Sequence, residues 1–289
     1  MRYRNRASFA YASTITSGHL FLLLSLLFTL CFAAGCHKSP ATQASQPRPS
    51  ADTNPAAAMD KGDLKLSYQP RSKPAPTHSV GSNPQALAGV IANLNERVAL
   101  PWDILISFED CEDSDAFYDP ETRKLTLCYQ LIDEYYDLFG RKITDKIKLD
   151  EAVRGAVAST FFHELGHGLV DAWKVPITGK EEDAVDQLST LILINHTQNG
   201  EQMALNGAIS FKLYADLEKG EKKIFWDEHS LDEQRFYDTI CLIYGHEPEK
   251  YSYLVKDNTL PEERAELCRQ DYPKISNSWR QLLGPFIKH

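Results

Sequence analysis

From Leu149 to Trp173 the chain places Val153, Val157, Phe161, Leu165 and Leu169 four residues apart, the spacing that keeps an apolar stripe on one side of an α-helix. The pattern predicts one long helix, and shorter helical patterns flank it. Asn83 is placed to cap a helix whose first residue is Pro84 and whose apolar positions Leu87, Val90, Ile91 and Leu94 run to about Val98, ahead of Pro101. The run LIDEYYDLF predicts another. After Pro176 and Gly179 a further helix starts in the acidic run at Glu181 and continues through LSTLILI. Ser230 and Glu233 have capping-box spacing at the head of a helix over SLDEQRFYDTICLIYG. Period-two patterns lie upstream of the long helix. Leu64, Leu66 and Tyr68 predict an edge strand ending at Pro70, and WDILISFED and TRKLTLCYQ, separated by the turn YDPET, predict a hairpin over 102–130. The expectation is an α+β fold: a small antiparallel or mixed sheet packed on the long helix, followed by a mostly helical C-terminal part.

The N-terminal residues carry a different pattern. Arg2, Arg4 and Arg6 precede the apolar run LFLLLSLLFTLCFAA, from Leu20 to Ala34, which has the length of a signal-peptide core and is short for a spanning helix. The junction AAGC, Ala33 to Cys36, resembles the lipobox of bacterial lipoproteins, which implies cleavage before Cys36 and acylation of its thiol. A plain secretory signal or an uncleaved anchor would also export the chain. By resemblance to lipoprotein sorting, His37 in place of an aspartate implies the outer membrane, with the chain facing the periplasm. Residues 36–61 contain prolines at 40, 47, 49 and 55 and no aromatic side chain, the composition of a flexible tether. The expected organisation is therefore a signal peptide over 1–35, a tether over 36–61 and one domain over 62–289.

Export changes how the cysteines read. With Cys31 in the signal and Cys36 lipidated, Cys111, Cys128, Cys241 and Cys268 remain, an even number in an oxidising compartment, which predicts two disulfides. Three pairings are possible, and proximity in sequence favours Cys111 with Cys128 and Cys241 with Cys268. The formal charge of −9 becomes −12 over residues 36–289, because the first 35 residues hold three arginines and no acid. Such a surface repels phosphate backbones and argues against a nucleic-acid partner.

The stretch FFHELGHGLVDAW, residues 161–173, carries the candidate chemistry. His163 and His167 stand about 40° apart around a helix and roughly 6 Å apart along it, so both imidazoles reach one ion, a spacing that suits zinc. Glu164 sits where its carboxylate reaches a water at that ion and takes its proton. The competing reading is a coincidence within a buried helix; the mid-helix position and the apolar flanks favour the metal. Gly166 and Gly168 would permit close approach near it. His196 and His246 read as helix-end and turn residues, and Tyr135, Tyr136, Phe139 and Trp173 as core or groove aromatics.

The linked segments NPQALAGVIANLNERVALP, DCEDSDAFYDPETRKLTLCYQL, FFHELGHGLVD, KEEDAVDQ, DEHSLDEQRFYDTICLIYG and LPEERAELC resemble a bacterial family of zinc metallopeptidases of unassigned role, over most of residues 84–285. Within the zincins the chain is similar to the gluzincins. That resemblance implies a pair of ligand-bearing helices under a sheet whose edge strand aligns the substrate, with TRKLTLCYQ as the candidate strand. In thermolysin-like gluzincins the third ligand is a glutamate, and an aspartate four residues later holds a zinc-bound histidine. In EEDAVDQ only Glu182, with Asp186, meets that pattern; Glu181 has Val185 and Asp183 has Gln187 at the same offset. The plainer reading of the run is an acidic first turn suited to the helix dipole.

The 14 residues between His167 and Glu182 are fewer than in thermolysin-like enzymes, so residues that stabilise the oxyanion do not transfer by position. His229, with Arg235 and Tyr237 behind it, is the candidate, against a plain helix-terminus histidine. The resemblance thus implies a tethered zinc endopeptidase with one Zn2+ per chain on His163, His167 and Glu182, Glu164 as general base, and peptides or proteins as substrates. The alternatives are a non-catalytic zinc-containing envelope scaffold and a zinc hydrolase of another amide, such as a cell-wall cross-link.

Overall fold

The computed structural model describes residues 55–72 and 84–288; the expected signal peptide, Cys36 and most of the expected tether lie outside them. Residues 55–61, assigned to the tether by composition, carry helix α1 (Pro55–Met59), in which Ala56 is buried. The Lys61 and Gly62 N–H groups donate to the Leu100 carbonyl at 2.8 and 3.0 Å. Packed chain therefore starts within that stretch, because its small alanines can lie flat on a neighbour.

Four strands form one mixed sheet in the order β1, β2, β4, β3, where β1 is Leu64–Tyr68, β2 Ile104–Glu109, β3 Ala116–Asp119 and β4 Lys124–Cys128. β1 and β4 both run parallel to β2, while β3 is antiparallel to β4. This corrects two expectations. The hairpin over 102–130 is not made by WDILISFED with TRKLTLCYQ: its first arm is the four-residue AFYD, and β4 inserts between that arm and β2. TRKLTLCYQ is accordingly an interior strand, and the edges are β1 and β3. The tight turn between β3 and β4 explains the outcome. Asp119 accepts from the Glu121 N–H and the Thr122 hydroxyl, and Arg123 takes a left-handed φ of 55°, which returns the chain at once to the strand before it. Glu109 and Cys128 are register partners, so the Cys111–Cys128 bond closes the sheet end where β2 and β4 both finish.

One face of the sheet packs on α4 (Lys146–Trp173), the predicted long helix, which begins three residues early because Asp145 accepts the Lys148 N–H at 3.0 Å as its cap. α2 (Pro84–Arg97) packs on β1; α3 (Tyr129–Gly140), α5 (Glu181–His196), α6 (Gly200–Leu217) and α7 (Asp232–His246) pack around α4 or one another, and after the short α8 (Tyr253–Lys256) helix α9 (Glu262–Leu283) covers α7. Phe139, Phe161, Leu165, Leu188, Leu193 and Ile240 form the centre of the core. The Cys241–Cys268 bond joins α7 to α9, so both favoured pairings are present. The Ser230 and Glu233 capping box is not. α7 starts one residue later than that box requires, with the Gln234 side chain accepting the Leu231 N–H at 3.1 Å, while Ser230 and Glu233 turn to Asp183 and Lys223.

The C-terminal segment closes the structure on itself. After the turn Gly284–Phe286, Ala99 N–H donates to the Phe286 carbonyl, Lys288 N–H to the Arg97 carbonyl, and Lys288 Nζ to the Asn95 carbonyl at 2.8 Å. The Phe286 ring stacks on Trp173 at 4.7 Å.

Candidate metal centre

His163 and His167 face outward from the middle of α4 toward the first turn of α5, and Gly166 makes that approach possible. A Cβ on Gly166 would lie 3.0 Å from Val185 Cβ on α5. Across this narrow seam His163 Nε2 is 3.3 Å from His167 Nε2 and 3.1 Å from Glu182 Oε2, and His167 Nε2 is 3.5 Å from Glu182 Oε1. Gly168 performs a similar service two residues on, at the other side of the helix: its open side faces the Tyr118 ring and Ile104, which keeps α4 close to the sheet.

The outer nitrogens of both histidines are taken by acids. Asp186 Oδ1 lies 2.7 Å from His163 Nδ1, and Glu181 Oε1 lies 2.8 Å from His167 Nδ1. Asp186 is held in turn by Arg235 of α7, whose Nε and Nη2 donate at 2.7 and 2.9 Å; the guanidinium lies over the Phe211 ring of α6 at 4.0 Å. Burial works against ionising Asp186, yet Arg235 and His163 hold its carboxyl well below the usual carboxylate range. An anion locked on Nδ1 makes that nitrogen the N–H of a neutral His163 and leaves the Nε2 lone pair facing the cluster.

Two imidazole lone pairs and a carboxylate then converge on one point, an arrangement that repels itself unless positive charge lies between. The charges around these rings draw positive charge in, as a proton on an imidazole or as a metal between the donors. Burial lowers the His163 pKa, but Asp186, Glu182 and Glu164 outweigh it and push it up to about 9. Burial raises Glu182 too, while His163, His167 and His229 hold it far below the ordinary range. The cluster demands a cation, and with its neutral nitrogens and hard oxygen it fits a divalent metal.

His229 also reaches the cluster, from the long loop between α6 and α7. Its Nε2 is 2.9 Å from Glu182 Oε2, and its ring stacks at 6.3 Å on that of His163. Glu164, the next residue after His163, is buried; burial raises its pKa, with Glu182 and Asp115 reinforcing the shift and the two α4 histidines opposing it. Asp115, immediately before edge strand β3, is raised by its own burial, with the charge of His229 opposing the shift.

Every residue proposed from the sequence for this site is thus brought together: His163, Glu164, His167, Glu182, Asp186 and His229. Arg235 stands behind Asp186 rather than behind His229, and Tyr237 is partly exposed with no such contact. Glu181 and Asp115 were missed. Glu181 could have been found by asking which acid serves the second histidine's Nδ1, since every ligand histidine needs such a partner. In a second group of ligand-type side chains, Glu201, His246 and Glu247, both glutamates are already paired with Lys250.

With the arrangement described, comparison with known proteins gives it a class. The model of the family described as "Putative metallopeptidase" matches residues 69–283, and the chain belongs to that family. The family points to a metal and to peptide or protein substrates. No curated protein and no solved structure matches the chain.

Proposed function

We propose that this protein is a zinc endopeptidase held on the cell envelope by lipid at Cys36. The observation that supports a metal here is the closeness of the donors: His163 Nε2 lies 3.3 Å from His167 Nε2 and 3.1 Å from Glu182 Oε2, and His167 Nε2 lies 3.5 Å from the other Glu182 oxygen. A tetrahedral shell with bonds of about 2.0–2.1 Å requires ligand separations of roughly 3.3 Å. Three protein ligands leave a fourth position open, as in catalytic zinc sites. When bound, zinc would polarise a peptide carbonyl and bring the pKa of a water toward neutrality.

The remaining work belongs to the chain. Glu164, buried and with its affinity for protons raised, takes a proton at its carboxylate and returns it to the leaving amine. His229, with Nε2 directed into the cluster, donates to the carbonyl oxygen as charge develops on it. Asp186 and Glu181 keep both histidines in one tautomer. The edge strand β3 replaces TRKLTLCYQ as the element on which an extended substrate would lie.

One observation favours a second reading. His229 Nε2 lies close enough to Glu182 to serve as a fourth ligand, and His163, Glu182 and His229 converge as a group; a closed site of four protein ligands would be structural, as an envelope scaffold requires. Metal content by mass spectrometry separates the readings. The expected result is about one zinc per chain, lost in His163→Ala and Glu182→Ala, retained in Glu164→Gln and His229→Ala. Glu164→Gln should lower cleavage of a fluorogenic peptide by roughly 10²–10⁴-fold. Loss of zinc from His229→Ala, with no turnover by the wild type, would replace the enzyme by the scaffold. A panel that pairs peptides with muropeptides separates peptide bonds from other amides. For the anchor, Cys36→Ser should move the chain from the membrane fraction to the soluble fraction; unchanged partitioning would exclude lipid attachment there.

A further inference from the structure

Ten large apolar side chains are exposed among the described residues, and four of them fall between positions 217 and 226: Leu217, Ile224, Phe225 and Trp226. The last two are each 76% exposed and adjacent. They stand in the loop 218–231, which joins α6 to α7 over 14 residues, long enough for a binding role rather than a plain connection. Exposed aromatic clusters of this kind mark places where something docks.

The far end of this loop is fixed at the metal centre. Lys180 Nζ donates to the Asp227 and His229 carbonyls at 3.0 and 3.3 Å, and Asp227 Oδ1 accepts the His229 N–H at 2.9 Å. Lys180 is the cap residue of α5, two positions before Glu182. Trp226 is three residues from His229, so their Cα atoms are no more than about 11 Å apart. An extended peptide of three or four residues covers that distance.

We propose that Ile224, Phe225 and Trp226 form the apolar rim of the substrate cleft and select peptides carrying a bulky apolar side chain beside the bond to be cut. The proposal rests on the peptidase reading and names its specificity. An anionic lipid surface fits less well. Of the three lysines in this loop Lys219 and Lys223 are already paired with Asp216 and Glu233, which leaves Lys222 against Glu218, Glu221, Asp227 and Glu228, all flanking the aromatic pair in sequence on a chain of net charge −9. An uncharged apolar side chain meets no such repulsion.

Trp226 also supplies the probe, because Trp173 and Trp279 are buried and Trp102 is half-buried. The zinc-loaded full chain carrying Glu164→Gln, which binds without cutting, is titrated with two labelled hexapeptides of alanine that differ only in a central Phe-Leu or Asp-Ser pair. Affinity is read by fluorescence anisotropy and contact by the shift of tryptophan emission. The expected result is about tenfold tighter binding of the Phe-Leu peptide with a blue shift. Discrimination should fall below about threefold when Phe225→Ser and Trp226→Ser are added, with metal content unchanged. Equal affinities, or discrimination that survives both substitutions, would overturn the rim. So would emission that moves with phosphatidylglycerol vesicles and not with peptide. The wild type is then given the same peptides: a tightly bound Phe-Leu peptide left uncut counts against the peptidase and leaves the rim standing, whereas cutting both equally counts against the rim alone.

Discussion

Three consecutive acids, Glu181, Glu182 and Asp183, finish with three different partners: His167 Nδ1, the metal-facing imidazoles, and the Ser230 hydroxyl. A helix turns about 100° per residue, so one short run fans out to two imidazole nitrogens on α4 and a hydroxyl on the loop before α7. This is why the run could be read either as a dipole-suited first turn or as a ligand source. A contrasting acid stands one helix away. Burial pushes Asp232, at the head of α7, up to about 6, with Glu218 reinforcing and Arg235 opposing. A carboxyl whose folded pKa is raised binds its proton more tightly in the folded chain, so its ionisation costs stability as pH rises from about 4 through 6. Asp232→Asn removes that cost. Urea unfolding should show a gain of about 1 kcal/mol at pH 7.5, below the roughly 3 kcal/mol of a full two-unit shift because the side chain is partly solvated and suits the helix dipole. No gain is expected at pH 4, and a gain of equal size there would assign the effect to something other than charge.

Among elements, α7 holds the centre together while contributing no member of the donor triangle. Arg235→Met would leave Asp186 buried against His163 alone, an uncompensated charge that costs about 3–5 kcal/mol. It would also free the His163 tautomer, so zinc affinity measured by chelator competition should fall about 10–100-fold. Unchanged affinity would mean that Asp186 holds His163 without help. The helices were readable because their signals are local: apolar spacing, caps and prolines lie within the segment itself. His163, Glu164 and His167 were readable for the same reason, all lying within five residues of one helix. Sheet order was not. The four-residue β3 is too short to show alternation, and nothing in β2 or β4 states that they would be parallel neighbours, since register is decided by which partner arrives across the fold. Arg235 was named from the sequence but given to His229, because its contact with Asp186 depends on α7 crossing α5.

Across the molecule, the two disulfides secure different halves, the sheet end at Cys111–Cys128 and the α7–α9 pair at Cys241–Cys268. Closing the 27-residue span of the second restricts the unfolded chain by roughly 3 kcal/mol. Cys241→Ser with Cys268→Ser should lower unfolding free energy by about that amount while zinc content holds, because α7 keeps its Arg235 contacts; a change under 1 kcal/mol would show that packing alone fixes the pair. The closure by residues 284–288 has a consequence in time. Lys288 bonds to Asn95 across 193 positions, and at about 5–20 residues per second a ribosome takes roughly 10–40 s to traverse that interval. For all of it the N-terminal strand layer lacks its final partner, and a chain that seals only when residue 288 arrives stays threadable until then.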